Sequence, residues 1–392
     1  MGSLDGLKIL DFSTLLPGPY ATLMLADMGA EVLKIGSASK PDIVTDYPPF
    51  IEGTDISASR AWLGRNKKTM FLNLKTKEGR DIVKELVKEY DIVMEQFRPG
   101  VMDRLGLGYE DLKAVNPAVI YCSLTGYGQT GPLRDAAGHD INYMSRSGII
   151  SHAGREAESP SLMNFQIADI AVGSLNSVIG ILAAVNYRRN TGRGQFIDVA
   201  MMDGCVPFNS IDGAAFLVSG RQPLREGERL NGGCIYDFYK TKDGGYMSVG
   251  SLEPKFWKQF CTAIGREDLI EGSVWPENIA EVKAEIRGIF KTKTRDEWVE
   301  IFSRYDACVQ PVLDLKEALL EDEQIKAREM VVDVKLPTYE DITVKQLATS
   351  VKLSECPCEY NFAGYPAGYH TREIIEKLGL DYDELEEKEV FK

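Results

Sequence analysis

His139, in Gly138-His139-Asp140-Ile141-Asn142-Tyr143, and Asp169, in Asn164-Phe165-Gln166-Ile167-Ala168-Asp169, are the residues of this chain best suited to chemistry. An imidazole and a carboxylate can serve one carbon acid from two sides, one removing a proton while the other supplies one to the opposite face. They stand 30 residues apart, too far for a local motif, so the fold has to bring them together. A bland reading is also open. A His-Asp dipeptide and an aspartate ahead of an apolar helix are ordinary capping and hydrogen-bonded structural pieces.

The elements that must position these residues alternate. Leu7–Phe12 reads as a buried strand, Tyr20–Met28 as a helix entered through Pro19, and Glu31–Ile35 as a second strand after Gly29. This βαβ opening has Pro17-Gly18-Pro19 in its first turn and lacks G-x-G-x-x-G, so NAD is not the expected ligand. Strands at Thr69–Leu74, Ile92–Glu95 and Val119–Leu124 and a helix at Lys77–Tyr90 continue the pattern toward a parallel sheet covered on both faces. From Ile170 to Asn190 a helix apolar all round is expected, buried in the core or at a subunit interface. Short strands at Ile235–Tyr239 and Tyr246–Gly250, with helices near Phe256–Ile264 and Asp296–Tyr305, read as a small α+β domain. The chain thus divides into a large Rossmann-like domain over 1–200, a linker over 201–226, the small domain over 227–320, and a helix at Glu317–Arg328 that leads back through 321–392. The acidic run Asp381–Glu389 reads as a solvated helix end.

Composition narrows the class. The chain has 392 residues, 44% hydrophobic and 27% charged, as a two-domain globular protein would. A formal charge of −14 argues against nucleic acid or an anionic membrane as partner. No apolar run approaches the roughly 20 residues of a spanning helix, and the N-terminus does not read as a secretory signal. Seven cysteines without the paired spacing of a zinc module suit reduced thiols in a cytoplasmic protein. With three histidines in all, a His-rich metal centre is not expected.

Four further segments carry a resemblance. They are Leu4–Asp11 with Pro17-Gly18-Pro19, Phe97–Gly106, Gly126–Pro132, and Gly192-Arg193-Gly194-Gln195 ahead of Asp198-Val199-Ala200. Together with the surroundings of His139 and Asp169 they resemble the family III CoA-transferases, the CaiB/BaiF superfamily. Gly138–Tyr143 is most similar to the α-methylacyl-CoA racemase branch, because the transferases commonly carry tyrosine where His139 stands. The resemblance implies an acyl-CoA substrate, two chains interlocked as a homodimer with the C-terminal segment rejoining the large domain, and no metal, pyridoxal phosphate or NAD.

It also implies roles for residues. His139 and Asp169 would be the catalytic pair, and Glu253 would match the small-domain carboxylate that orients the histidine, although it also reads as a surface charge at a helix start. Arg104 would contact CoA, and Leu15, Leu16, Leu72, Gln96, Phe97 and Leu105 would line the nucleotide and pantetheine path. Arg60, Arg65, Lys67, Lys68 and Arg98 are further cations for the phosphates. Relatives carry a Glu-Arg pair where this chain has Gly36-Ser37, leaving Lys40 or Lys67 to compensate. The Asp169 N–H, at the start of the apolar helix, is the expected oxyanion donor. Gly232-Gly233 matches a glycine-rich loop, and Met144, Met163, Met201 and Met202 would hold the acyl group. Inversion of a 2-methylacyl-CoA through an enolate leads the expectations. A CoA-transferase with Asp169 as nucleophile is the alternative, and a CoA-binding protein without chemistry is a third.

Overall fold

A strand that is apolar on both faces belongs in the middle of a covered parallel sheet, and β1 (Lys8–Asp11) sits there, with Ile9, Leu10 and Asp11 fully buried. The computed structural model describes residues 2–272, 274–339 and 341–392. After β1 the chain enters α1 (Pro17–Asp27), where prolines at the first positions forfeit only amides that no helix uses. The order continues β2 (Glu31–Gly36), α2 (Ala58–Leu63), β3 (Lys67–Phe71), α3 (Lys77–Leu86), β4 (Ile92–Glu95), α4 (Val101–Arg104), α5 (Tyr109–Val115), β5 (Ile120–Thr125), α6 (Asp140–Arg146), α7 (Leu175–Thr191), β6 (Phe196–Ala200) and α8 (Met201–Cys205). The strands pair in parallel in the order β3-β2-β1-β4-β5-β6. This is the doubly wound α/β arrangement, whose direction of winding reverses between β1 and β4. Ligands of such sheets bind outside the carboxyl ends of the strands at that reversal.

Several bounds differ from those read in the sequence. β3 begins at Lys67 and not at residue 69, because Lys67 is itself a buried strand residue. Its ammonium donates to the Pro19 carbonyl and the Thr22 hydroxyl, both at 2.7 Å, beneath α1. β6 escaped notice because its exposed Phe196 and Asp198 blur the pattern of a covered strand. The long helix starts earlier, with a π-helical segment at Ile167–Ser174. The expectation about apolar length is also corrected. Ile167–Thr191 has a mean hydropathy of 1.8 in its most apolar window, enough by length and composition to cross a bilayer, and 44% of that window is buried. Its inner side packs on α1 and β5, and the buried Ser174 hydroxyl donates to the Pro17 carbonyl at 2.7 Å.

The chain divides into two units. The larger comprises the residues up to Ser147, Phe165–Phe208 and Glu323–Lys392, and the smaller comprises Gly148–Asn164 and Asn209–Asp322. The smaller unit therefore begins at Asn209 without a linker over 201–226, and it claims an excursion ahead of Asp169. Arg155 explains that excursion, since its guanidinium bonds Glu226 at 2.6 Å and Asp237 at 2.6 Å. Against the cost of burial, Arg155 and Lys283 hold the Asp237 carboxyl down at about 2.

Within this unit α9 (Ser210–Ser219) is followed by an antiparallel sheet of β7 (Asp237–Lys240), β8 (Tyr246–Val249) and β9 (Val309–Pro311). α10 (Pro254–Ile264), α11 (Ile279–Phe290) and α12 (Arg295–Phe302) pack on it through Trp257, Phe260, Phe290, Trp298 and Phe302. The helix expected at 317–328 is interrupted at Asp322, a non-helical residue between a π turn and α13 (Glu323–Ala327).

The C-terminal return adds the hairpin β10 (Val331–Lys335) and β11 (Thr343–Leu347), α14 (Thr371–Lys377) and α15 (Tyr382–Glu387) to the large unit. Arg65 anchors this return. Its fully buried guanidinium grips both oxygens of Asp27, at 3.0 and 2.7 Å, and donates to Gln346 at 2.8 Å and the Leu347 carbonyl at 3.0 Å. The acidic run Asp381–Glu389 is a mostly exposed helix end with Leu385 turned inward. Val390 and Phe391 close the core, and the Asn73 amide donates to the Val390 carbonyl at 2.7 Å.

Candidate active site

At the reversal of the sheet a cavity of about 480 Å³ opens in the large unit. Leu15 enters it from the turn after β1, Gln96, Phe97 and Arg98 from the end of β4, and His139, Asn142 and Tyr143 from the start of α6. Gln96 fastens the two strand ends together, because its side-chain oxygen accepts the Gly18 amide at 3.1 Å.

His139 is the residue immediately before α6, and it is exposed. Three local bonds fix its backbone: its amide donates to the Asn142 side chain at 3.0 Å, and its carbonyl accepts the Asn142 amide at 2.8 Å and the Tyr143 amide at 3.3 Å. The Tyr143 hydroxyl reaches back to the Gly138 carbonyl. A Cβ at Gly138 would lie 2.6 Å from the Tyr143 ring, so only glycine fits ahead of the histidine.

Asp169 lies in the first turn of the π-helical segment. π-helical turns are rare and concentrate at functional sites. Its amide donates to Asp140 Oδ1 at 3.0 Å, so the neighbour of His139 in sequence is the partner of Asp169 in space. This corrects the oxyanion assignment, since the Asp169 N–H is already taken. Asp140 is the site residue that sequence reasoning passed over. Its position beside the histidine in the dipeptide was a signal, but its partner was legible only in three dimensions. Burial, and then the charge of Asp140, push the Asp169 carboxyl up to about 6, against the opposing influence of the His139 imidazole. Asp169 itself is not among the described residues that line the cavity.

The raised Asp169 makes a stability prediction. The folded state holds this proton more tightly than the unfolded chain, so the associated stability is complete below pH 3.8 and is lost as pH rises through about 6. Asp169→Asn should therefore stabilise the protein at pH 8 by about 1–2 kcal/mol, a figure discounted for the solvent on its open side. At pH 4 it should give no gain. Chemical denaturation at the two pH values checks both.

The other expected residues separate by position. Leu15, Gln96 and Phe97 share the cavity with His139. Leu16 caps α1 and is half-buried. Leu72 is packed in the core of the sheet, away from the cavity wall, and Leu105 packs against the same core. Arg104 ends α4 with its side chain exposed, and neither it nor Arg98 is in an ion pair among the described residues. Arg65 and Lys67 are corrected from phosphate ligands to buried structural cations. For Lys67, burial lowers the pKa to about 7, with Asp11 opposing. Arg60 pairs with Asp46 and Lys68 with Glu373. Met144 is core, whereas Met201 lines the cavity.

In the smaller unit Glu253 is exposed at the N-cap of α10. Gly232, Met163, Leu230, Tyr236 and Phe238 line a cavity of about 650 Å³ there. His370 is structural, its ring accepting the Thr69 amide at 3.2 Å, and His152 contacts Asn209 at 3.3 Å.

His139 thus lies in a cavity at the reversal point of a doubly wound sheet, and Asp140, its neighbour in sequence, holds the Asp169 amide. The profile of CoA-transferase family III matches residues 4–371, and the chain belongs to that family. Alpha-methylacyl-CoA racemase of Homo sapiens is 34% identical over 98% of this chain and 95% of its own. Succinyl-CoA:glutarate CoA-transferase of Homo sapiens is 32% identical over 97% and 87%. Among solved structures, a CaiB/BaiF family protein from Brucella suis superposes with a TM-score of 0.85 at 30% identity, covering 96% of this chain and 99% of that one.

Proposed function

We infer that this enzyme inverts the α-carbon of 2-methylacyl-CoA thioesters by 1,1-proton transfer through an enolate. The observation that carries the reading is the bond from the Asp169 amide to Asp140, the residue that follows His139, which brings near the histidine an aspartate whose carboxyl is raised to about 6. A group used as both acid and base works best with a pKa near the operating pH. A thioester α-hydrogen is acidic because the carbanion delocalises into the carbonyl. One side chain takes that proton, and the other returns one to the opposite face. The developing oxyanion needs donors, and with the Asp169 amide engaged by Asp140 we assign them to the first-turn amides of α6, at Asp140 and Ile141, which have no intrahelical acceptor. Two side chains exchanging protons require no cofactor beyond the CoA of the substrate.

A second reading is favoured by the transferase relatives at similar identity. In it Asp169 attacks the thioester carbonyl, expels CoA and forms a mixed anhydride, and the CoA thiolate then attacks the aspartyl carbonyl of that anhydride, giving an aspartyl-CoA thioester and releasing the donor acyl group as its carboxylate. Trapping separates the two. With acyl-CoA and hydroxylamine, a racemase leaves Asp169 unmodified, whereas a transferase yields a hydroxamate at residue 169 and passes CoA to an added carboxylic acid.

Arg104 is proposed to hold the CoA phosphates. Arg104→Ala should weaken acyl-CoA binding by about 1.5–3 kcal/mol, the worth of a hydrogen bond to a charged group, as read by calorimetric titration at moderate salt. An unchanged Kd would move the phosphate site elsewhere. The interlocked homodimer is proposed as well, supported by exposed apolar side chains at Ile179 on α7 and at Leu217 and Val218 on α9.

A further inference from the structure

Beneath the turn that carries Arg98 to Asp103, on the α5 side of the sheet, lies a second cavity of about 240 Å³. It shares only Arg98 and Pro99 with the cavity of His139. Its walls are built by Glu95 on β4, by Tyr121 and Ser123 on β5, by Phe196 on β6, and by Tyr109 and Asp103. In the sheet register Glu95 lies opposite Ser123, and Tyr121 opposite Phe196.

We propose that this cavity is a binding site for a small organic cation that carries N–H donors, an alkylammonium or alkylguanidinium.

The first argument is an orphaned polar atom. The Tyr121 side chain is 2% exposed, and its hydroxyl has no hydrogen-bond partner. A buried hydroxyl left unpaired costs stability, and Tyr121 is one of the residues that line the cavity. Its neighbours are differently placed. The Ser123 hydroxyl accepts Gln129 Nε2 at 2.7 Å, and Glu95 Oε2 accepts the Phe97 amide at 2.7 Å. Ser123 also hydrogen-bonds Glu95, yet a carboxylate has more acceptor sites than these bonds fill, so Glu95 can still receive a donor from a ligand.

The second argument is charge. Glu95, Asp103 and Glu110 face the cavity against the single cation Arg98. Lys113 lies over the Tyr109 ring at 5.1 Å and engages Glu110 at 3.3 Å. Glu95 is 5% exposed and in no ion pair among the described residues, and burial pushes its carboxyl up to about 7. A cation beside it would reverse that rise. A bare metal ion does not suit the walls, because the described residues contain no group of three His, Cys, Asp or Glu side chains that could hold one.

The third argument is the aromatic lining. Tyr121 and Phe196 stack at 5.8 Å, and Tyr109 meets them at 6.2 and 5.7 Å. Ring faces attract a cation and tolerate its alkyl body. Rings, carboxylates and an unpaired hydroxyl in one cavity match a ligand that is positive, partly apolar and able to donate.

The test is calorimetric titration of the full chain at pH 8 with n-butylammonium, n-butylguanidinium, tetramethylammonium and n-butanol. The first two should bind saturably. Tetramethylammonium, which has the charge without the donors, should bind at least about tenfold more weakly, the scale of one charge-assisted hydrogen bond. Butanol should give no saturable heat. Tyr121→Phe and Glu95→Gln should each weaken n-butylammonium by a similar factor. Tyr121→Phe removes an unpaired hydroxyl and should fold at least as well as the parent; if it does not, the ligand series and Glu95→Gln still decide. Absence of saturable binding, equal affinity for all four compounds, or full affinity in Glu95→Gln would overturn the proposal.

Discussion

Alanine at His139, or asparagine at Asp169, is expected to slow inversion at C2 of a 2-methylacyl-CoA by about 10²–10⁴-fold, the usual worth of a positioned acid or base. CoA binding should be nearly unaffected, because neither side chain is assigned to the nucleotide. Inversion needs both faces of the carbanion, so losing either group slows it in both directions. Exchange of the α-proton with solvent needs only one face. Each variant should therefore still exchange one enantiomer without converting it, and the two variants should choose opposite enantiomers. Chiral separation of recovered acyl-CoA after incubation in heavy water reads this directly. Folded variants that bind CoA and racemise at the parental rate would remove both residues from the mechanism. The acid limb of the profile follows from Asp169: in the direction in which it accepts the proton, the rate should fall as pH drops through about 6.

Arg65→Ala should destabilise the large unit by about 3–5 kcal/mol, because it strands the Asp27 carboxylate in the interior without its partner. The guanidinium is fully buried and holds α1, through Asp27, to Gln346 and Leu347 of the C-terminal return. Asp27→Ala should cost a similar amount and also free the Thr349 hydroxyl, which donates to Asp27 at 2.6 Å. Urea denaturation measures both. Parental stability in Arg65→Ala, combined with weakened CoA binding, would return Arg65 to the nucleotide and contradict the structural assignment.

Much of the large unit was legible because its residues obey local rules. Ile9 and Leu10 turn apolar side chains to opposite faces, Pro17 and Pro19 mark a helix start, and Gly29 marks its end, and these produce β1, α1 and β2 close to where they were read. Legibility failed where a distant partner decides the outcome. Lys67 reads as a surface cation until Thr22 and the Pro19 carbonyl are seen to bury it. Gly148–Asn164 falls inside the large domain read over 1–200 until Arg155 is seen to bind Asp237. Val390 and Phe391 follow an acidic run that looks solvated, yet they close the core. In the site the same division holds. His139 was marked by its sequence neighbours, whereas the Asp169 amide looked free until Asp140 was found to accept it across 29 residues.

The measurement that bears most directly on the central claim is deuterium incorporation at C2 when the purified enzyme meets a 2-methylacyl-CoA of one configuration in heavy water, with no free carboxylic acid present. Proton transfer through an enolate predicts deuterium at C2 together with the opposite configuration, and an unmodified Asp169 throughout. No deuterium at C2, with CoA exchange that begins only when a carboxylic acid is added, would contradict it and make Asp169 the nucleophile of a transferase.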